Sequence, residues 1–311
     1  QVRAQGPLSA DSFRATVAVE ENRFGATGLA KDPEEDYWFW SSLMNGGAAC
    51  GTGTQYLGCG SRIFTLAAPE ATGSGAARLR LWLRGITALP PNPDHLVRVS
   101  VNGTPVGDGQ WDGLSDYILE LPLEGSLLRM DGQNQVQVQA QVTAGVAYNS
   151  FNLDRLELDY QRHYQADQDA LTATGGAGQL LVARGFTSAA IQAYDLTNPR
   201  MPRLVIGTRI EAGVEGYQVS LVPASAATPY LLVTEGSVRA PAGVRPMETT
   251  GLAGAKAGAP YLVIAPRDFY DEASQPVQRL LNLRSNQGLS GRFVPLQAIY
   301  DEYGDGQKTP H

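Results

Sequence analysis

The chain has 311 residues, of which 35 are glycine and 19 are proline, and only 18% of its residues are charged. This length predicts two or three domains, and this composition favours many short strands and turns over long charged helices. A formal net charge of −7 argues against a nucleic-acid phosphate backbone as the main partner. No apolar run approaches the roughly 20 residues that cross a bilayer, so we expect no membrane span.

Residues 1–162 are predicted to form a β-sandwich of the jelly-roll type. In the segment ARLRLWLRGIT, Leu79, Leu81 and Leu83 alternate with polar or aromatic residues, which is the period of a half-buried strand. Asn102-Gly103 supplies a strong hairpin-turn signal within HLVRVSVNGTPVGDGQW. The segments DYILELPL, NQVQVQAQV and FNLDRLELDY repeat the alternation with turns between them and no helical pattern, as in antiparallel sandwiches.

The two cysteines of the chain, Cys50 and Cys59, enclose the Gly- and Thr-rich loop CGTGTQYLGC. Such a pair predicts a small disulfide in an oxidising compartment, and two unpaired thiols on one loop are the alternative. A closed zinc site needs four nitrogen or sulfur ligands, so this pair with only three histidines in the chain favours no metal.

Residues 163–244 are predicted to form a second, smaller β-sandwich. The segments QLLVARGF, AAIQAYDL, PRLVIGTRI, GYQVSLVP and PYLLVTEG are short strand candidates, and DLTNPRMP has the Asx and proline chemistry of a turn. Residues 245–260 are low in large apolar residues and rich in Gly, Ala and Pro, which predicts a linker.

From residue 261 to residue 311 the pattern changes to that of an α/β domain. YLVIAP is a continuous apolar run, as expected of a strand buried on both faces, and GRFVPL is a second strand. Between them we predict a helix with Ser274 as its N-cap, Pro276 in its first turn and Gly288 at its end. This order is the opening βα unit of a parallel sheet, which we expect to be incomplete. The final YDEYGDGQKTPH reads as a strand-like segment followed by acid-rich turns, and we interpret the chain as trimmed at both ends.

Four motifs of this last region occur together: YLVIAP, NQG at residues 286–288, GRFVPL, and IYDEY at residues 299–303 followed by two glycines. In this order they resemble the start of the catalytic domain in the gingipain-like cysteine peptidases, the C25 family. The preceding β regions also resemble the amino-terminal parts of bacterial members of this family, particularly in DYWFW and HLVRVSVNGTPVGDGQWDG.

The resemblance implies a caspase-like catalytic domain whose cysteine nucleophile and histidine base lie beyond this segment. Both groups are needed because a thiolate must be generated and the leaving amine must be protonated. No residue of this chain matches either position, so we assign no catalytic residue and expect the chain alone to be inactive. The resemblance also implies a secreted or cell-surface protein, whose partner is the remainder of the same polypeptide or a cleaved catalytic chain.

Three tryptophans of the first β region are candidate ligand-facing residues. The segment DPEEDYWFW places acids beside Trp38 and Trp40, and Trp111 follows later in the same region. Acids beside aromatic faces are typical of glycan-binding surfaces, and the alternative is that these rings pack within the sandwich or on its surface.

Three acids near the end, Asp301, Glu302 and Asp305, are candidate Ca²⁺ ligands. This ion takes six to eight oxygen ligands, so the alternative is a solvated acidic loop. His95 and His163 have no Cys or His at ligand spacing, and we expect them to pack or to lie at the surface. Beyond a structural Ca²⁺, no cofactor is expected.

The leading hypothesis is the amino-terminal, non-catalytic region of a secreted gingipain-like cysteine endopeptidase, which supports or covers the catalytic domain. The first alternative is a cell-surface adhesion or carbohydrate-binding β-sandwich protein with protein or glycan ligands. The second alternative is a structural subunit whose β domains assemble with one another. The sequence contains neither a Gly-x-Ser-x-Gly nucleophile elbow nor a phosphate-binding loop.

Overall fold

The computed structural model of the chain describes residues 9–26, 28, 36–46, 57–175, 178–225, 228–241, 243, 251–252, 254–255, 258–304 and 306. The chain divides into two compact units, Gln1–Ala30 with Tyr37–Arg239, and Lys31–Asp36 with Ala240–His311. All strands that the structure describes in the two predicted β regions lie in the first unit, and the predicted α/β segment lies in the second. The finer boundaries at residues 162 and 244 stay predictions, and part of the predicted linker lies outside the described residues.

The first unit is built from strands. In chain order they are β1 (Ser9–Ala10), β2 (Ser12–Glu20), β3 (Phe24–Gly25), β4 (Trp38–Phe39), β5 (Ser41–Gly46), β6 (Leu57–Cys59), β7 (Ser61–Ala67), β8 (Ala76–Gly85), β9 (His95–Val101), β10 (Thr104–Trp111), β11 (Asp116–Glu124), β12 (Gln133–Gln141), β13 (Tyr148–His163), β14 (Ala170–Thr174), β15 (Leu180–Phe186), β16 (Ile191–Asp195), β17 (Arg203–Leu204), β18 (Arg209–Ala212), β19 (Tyr217–Leu221) and β20 (Pro229–Thr234).

Two sheets form the first sandwich. One has the strand order β11-β8-β13-β5-β6, with β2 also paired to β13, and the other has the order β10-β9-β12-β7. The predicted alternation is confirmed, because Leu79, Leu81 and Leu83 are at most 3% exposed. They lie opposite buried residues of β13, with Leu79 paired to Leu158. Burial of these aliphatic rows is the main stabilising term of the sandwich.

The predicted Asn-Gly turn is confirmed between β9 and β10. Asn102 and Gly103 have φ values of 51° and 84°, and two successive left-handed residues form the turn that suits a two-residue hairpin. The Asn102 side chain also donates hydrogen bonds to the Leu127 carbonyl (2.7 Å) and to Asn134 Oδ1 (2.9 Å). The turn is therefore anchored to the neighbouring loop as well as closed on itself.

Two four-stranded sheets form the second β region, with the orders β1-β15-β19-β18 and β14-β20-β16-β17. Their inward side chains include Leu171, Leu181, Phe186, Val219 and Leu232, which are all at most 1% exposed. These residues belong to one buried cluster together with the core of the first sandwich. The strand β1 comes from the start of the chain and runs parallel to β15, a pairing that the sequence did not predict.

The second unit has the predicted strand, helix, strand order. Its elements are β21 (Tyr261–Ala265), α1 (Arg267–Asp271), α2 (Pro276–Asn286), β22 (Gly291–Pro295) and α3 (Leu296–Tyr303). The strands β21 and β22 are parallel, with Tyr261 opposite Gly291 and Ala265 opposite Pro295. No helix in the described part of the chain is long and apolar enough to cross a membrane.

The predicted positions of Pro276 in the first turn of helix α2 and of Gly288 at its end are confirmed, whereas the prediction of Ser274 as the N-cap is wrong. Gln275 caps the start in the left-handed region (φ 49°, ψ 49°), whereas Ser274 donates a hydrogen bond to Glu272 Oε1 at 2.9 Å. At the end, Gly288 has φ +84°, and the N–H groups of Gly288 and Leu289 bond to the carbonyls of Ser285 and Arg284. This double hydrogen bond is the Schellman motif that a left-handed glycine permits.

The segment predicted to be strand-like at Tyr300 is a helix, α3. Leu296, Ile299, Tyr300 and Tyr303 recur at the i, i+3, i+4, i+7 spacing of one helical face, and this period overrides the β propensity of the separate residues.

Replacement of Leu158 by alanine should lower the free energy of unfolding by about 2–5 kcal/mol, because it leaves a cavity in a packed core. Leu158 is 1% exposed, whereas Leu114 is 48% exposed, so Leu114→Ala removes the same atoms from the surface. The control should shift stability by no more than about 0.5 kcal/mol. Urea denaturation followed by tryptophan fluorescence measures both changes, and equal losses would contradict the described register of β13.

Candidate functional site

One face of the parallel β21–β22 pair is covered by helices. Tyr261 and Phe293 point to this face, since alternate residues of a strand share a side. Tyr270 of α1 stacks on Phe293 with ring centroids 4.6 Å apart, and the Arg284 guanidinium of α2 lies 5.2 Å from the Tyr261 ring centroid. A Cβ on Gly291 would lie 2.5 Å from Leu281 Cδ2, so the glycine permits the close approach of α2.

On the opposite face of the pair, the side chains of β21 are exposed to solvent. Leu262 and Ile264 are 51% and 50% exposed, whereas Val294 of β22 is 4% exposed. The prediction that YLVIAP is buried on both faces is therefore wrong for the second unit as described. The physical reason is that α1 and α2 cover a single face, and only the part of the other face at Val294 is buried.

Two of the three candidate Ca²⁺ ligands lie on a helix. Asp301 and Glu302 are in α3, and Asp301 Oδ1 accepts a hydrogen bond of 2.7 Å from Gln297 Nε2, one helical turn earlier. Asp305 lies outside the described residues. The expectation that these acids lie on one loop is therefore wrong for Asp301 and Glu302. Successive side chains of a helix are separated by about 100° around its axis, so these two acids do not point in the same direction. The Ca²⁺ site itself stays a prediction.

The aromatic candidates are placed mainly in the core. Trp40 is 6% exposed and packs on Phe64, with ring centroids 4.6 Å apart. Trp111 is 7% exposed and lies between the rings of His95 and Tyr117, at 4.6 Å and 4.9 Å. Trp38, in β4, is partly buried. The structure thus places Trp40 and Trp111 as packing residues, which is the alternative that the sequence left open.

The candidate disulfide lies outside what the structure describes. Cys50 is not among the described residues, and Cys59 is described only by its backbone in β6. The Cys50–Cys59 disulfide therefore stays a prediction.

A buried polar cluster surrounds His95, which is 0% exposed. Its Nδ1 lies 2.9 Å from Asn149 Oδ1, and the Asn149 amide donates to the carbonyls of Leu96 (2.7 Å) and Gln141 (2.8 Å). Because the amide nitrogen is committed to two carbonyls, the Asn149 oxygen is the acceptor and His95 Nδ1 is the donor.

The other ring nitrogen of His95 also faces acceptors only. Nε2 lies 3.2 Å from the Thr87 carbonyl, 3.1 Å from the Gly113 carbonyl and 3.5 Å from Asp94 Oδ1. His95 and Asp94 therefore lie side by side within one buried cluster. Since both side chains are fully buried, this pair fixes loops and does not face a substrate.

Asp94 closes the cluster by accepting two backbone hydrogen bonds. Its carboxylate receives the N–H groups of Leu89 at 2.9 Å and Gly113 at 2.8 Å. Burial by itself raises the pKa of Asp94, but these two hydrogen bonds, together with the charge of His95 and a hydrogen bond from Thr87, lower the pKa below its ordinary value. The sequence predicted for His95 only a packing or surface role and did not predict this cluster, whose visible signal in the sequence is the adjacent Asp94-His95 pair.

Residues 255–311 match the model of a family described as Peptidase family C25. The match begins just before β21 and includes every helix and strand that the structure describes in the second unit. The resemblance to this family that the motifs suggested is therefore confirmed on this segment. A comparison with curated protein sequences finds no match.

The fold as a whole is similar to a solved structure described as dimeric latent PorU from Porphyromonas gingivalis, with a TM-score of 0.59 and 12% identity. The alignment covers 98% of this chain and 27% of PorU, so the chain spans about a quarter of that protein.

Two smaller alignments involve carbohydrate-binding proteins. One is with a sugar-binding EclA C-terminal domain, at 15% identity and a TM-score of 0.25, and covers 32% of this chain and 66% of that domain. The other is with a family 35 carbohydrate-binding module from Clostridium thermocellum, at 15% identity and a TM-score of 0.21, and covers 47% of this chain and 95% of that module. These last two scores are too low to establish a common fold. The chain therefore has a PorU-like, mostly β architecture followed by a short parallel α/β unit.

Asp94→Asn should destabilise the protein at neutral pH by about 1–3 kcal/mol, because an amide NH₂ then faces a buried backbone N–H. The folded pKa of Asp94 lies below the unfolded value of about 3.9, so its contribution is present above that value and is lost as the pH falls through the folded pKa. The difference between the two proteins should therefore be constant from about pH 5 to pH 7 and shrink below about pH 4.

Urea denaturation at a series of pH values measures this difference. Asp112→Asn is the matched control, since Asp112 is an exposed acid near the same loop. A difference for Asp94→Asn that grows as the pH falls would contradict the described hydrogen bonds.

Proposed function

We propose that this chain is the amino-terminal, non-catalytic region of a secreted gingipain-like cysteine endopeptidase. Its β regions form a rigid support, and its last segment contributes the first strands and helices of the catalytic domain. The observation that carries the proposal is the half-exposed apolar face of Leu262 and Ile264, on a parallel strand pair within the C25-matching segment.

The physical support for this proposal is the behaviour of parallel sheets. They occur almost only where both faces are covered, and their strands are continuous apolar runs like YLVIA. Among the described residues, β21 and β22 pair only with each other, so each has one open edge. Further strands and a covering layer on the Leu262 face complete such a sheet, and the remainder of a C25 domain is the polypeptide that supplies them.

The chemistry of the proposed enzyme lies outside this chain. The described part of the C25-matching segment contains no cysteine and no histidine, and both groups are required for thiolate attack and for protonation of the leaving amine. The similar solved structure is a latent form, which supports a covering role for the amino-terminal region. A secreted or cell-surface location, with a Cys50–Cys59 disulfide, belongs to the same proposal. The burial of Trp40 and Trp111 gives no support to the glycan-binding alternative.

The first test is enzymatic. The 311-residue chain, incubated with a thiol reductant and fluorogenic peptides that contain Arg or Lys, should release no product. The reason is that its two cysteines lie in the first β region, outside the segment that matches the family. Thiol-dependent turnover by the purified chain, abolished by Cys50→Ser or Cys59→Ser, would show that the chemistry had been assigned to the wrong part of the protein.

The second test concerns the open face. In a longer polypeptide that carries the complete C25 domain, Leu262→Asp and Ile264→Asp should sharply reduce the yield of folded protein, because a buried unpaired carboxylate is costly. In the 311-residue chain the same changes should alter the unfolding free energy by less than about 1 kcal/mol, since both side chains are half-exposed.

Ile118→Asp is the matched control, because Ile118 is 52% exposed and also lies in a strand, but belongs to the first unit. It should be tolerated in both lengths of polypeptide. If Leu262→Asp and Ile264→Asp have the same effect in both lengths, the catalytic domain does not cover this face and the proposal fails.

A further inference from the structure

An unassigned cleft of about 650 Å³ lies in the second β region, beside the tip of the β18–β19 hairpin. This volume falls within the range of about 300–1,000 Å³ that is typical of small-molecule sites. The polar side chains that line the cleft are Gln165, Arg184, Glu215, Tyr217 and Gln218.

A β-bulge shapes the cleft. The register between β15 and β19 shifts between Ala183 and Phe186, and bulges of this kind redirect a side chain out of the regular ladder. The Arg184 backbone is held on its other side, since its N–H bonds to the Tyr164 carbonyl at 2.9 Å and its carbonyl accepts the Ala166 N–H at 2.8 Å. Arg184 therefore projects from a fixed backbone.

Gly185, the next residue, also lines the cleft and permits the close approach of the Gln165 amide. It has φ +83°, and a Cβ at this position would lie 2.0 Å from Gln165 Nε2. The hairpin tip also lines the cleft; it is closed by a hydrogen bond of 2.7 Å from the Gly213 N–H to the Gly216 carbonyl, and it carries Glu215.

The two opposite charges that line the cleft are not paired with each other. In the described part of the chain, neither Arg184 nor Glu215 forms an ion pair within 4.0 Å, and their side chains make no hydrogen bond. In contrast, the neighbouring arginine of β18, Arg209, lies 2.6 Å from Glu211. A cation and an anion that face the same cleft without contact leave space for a ligand that bridges them.

We propose that this cleft binds a short zwitterionic peptide. The Arg184 guanidinium matches a carboxylate with two parallel N–H groups, and the Glu215 carboxylate matches an ammonium group. The Gln165 and Gln218 amides offer both donors and acceptors to the peptide groups between these ends. The inference does not depend on the peptidase proposal, because the cleft lies in the first unit and that proposal rests on Leu262 and Ile264 of the second unit.

Binding is tested by calorimetry with the 311-residue chain and trialanine that has free termini, at a fixed salt concentration. Saturable binding with a Kd below about 1 mM is expected. Trialanine amidated at its carboxyl end and trialanine acetylated at its amino end should each bind about ten- to hundredfold more weakly, since each lacks one charge-assisted contact.

Two variants test which side chain binds which end of the peptide. Arg184→Gln should weaken the free peptide about ten- to hundredfold but should leave the affinity for the amidated peptide unchanged. Glu215→Gln should weaken the free peptide in the same way and leave the acetylated peptide unchanged. Arg200→Gln, at another exposed arginine of the same β region, is the matched control and should change none of these affinities.

Urea denaturation of each variant confirms that it is folded, and both substituted side chains are exposed. The proposal is overturned if the free peptide does not bind below about 1 mM. It is also overturned if blocking the peptide's ends has no effect, or if Arg184→Gln and Glu215→Gln behave like Arg200→Gln.

Discussion

One long strand, β13 (Tyr148–His163), organises the first unit, because it is the shared neighbour of three other strands. Its first half pairs with β5, its second half pairs with β2, and β8 runs along its opposite side. A register shift between Leu153 and Arg155 separates the two halves. Before the shift Phe151 and Leu153 point inward, and after it Leu156, Leu158 and Tyr160 do, so that the inward parity changes from odd to even residues. A single-residue bulge has this effect, and without it one half of the strand would turn its apolar side chains to solvent.

The same strand explains how the two β regions become one unit. The strand β2 lies beside β13, and β1, separated from β2 only by Asp11, lies beside β15 in the second region. The start of the chain thus pairs with both regions, and the buried cluster is continuous between them. Such pairings join residues that are far apart in sequence. The chain therefore loses conformational entropy on closing long loops before the contacts of the core stabilise the fold. The compact first unit depends on this long-range arrangement more than on any local turn.

The sequence predicted the parts of the structure that depend on local pattern. Leu79, Leu81 and Leu83 lie inward because a strand alternates its faces, and Asn102-Gly103 turns because both residues adopt positive φ at low cost. The β1–β15 pairing could not be predicted, since a two-residue strand has no periodicity and its partner is chosen by tertiary contacts. The helix α3 could have been recognised from the spacing of Leu296, Ile299, Tyr300 and Tyr303, but its tyrosines and isoleucine also favour strands.

The polar sites were the least predictable from sequence. Asp94 and His95 are adjacent, but their partner Asn149 lies 54 residues after His95, and only the fold brings the amide to the ring. The cleft lined by Arg184 depends on a bulge and on the hairpin tip that carries Glu215. In the sequence, glycines mark both features, but glycines alone do not predict a bulge or a cleft. The burial of Trp40 and Trp111 was left open, because an aromatic residue in a strand can face either side.

The energetics of the second unit distinguish it from the first. A pair of strands is at best marginally stable in water, and parallel pairing is slightly weaker per residue than antiparallel pairing. On one face the β21–β22 pair gains stability from the Tyr270–Phe293 stack and from the close approach of Leu281 of α2 to Gly291, whereas on the other face Leu262 and Ile264 are half-exposed and Val294 is buried. Leu262 and Ile264 are half-exposed, so burial of their apolar area by a covering layer would stabilise the second unit further. A segment of this kind is expected to reach its full stability only as part of a larger sheet, and this expectation is the physical support for the proposal made above for the second unit.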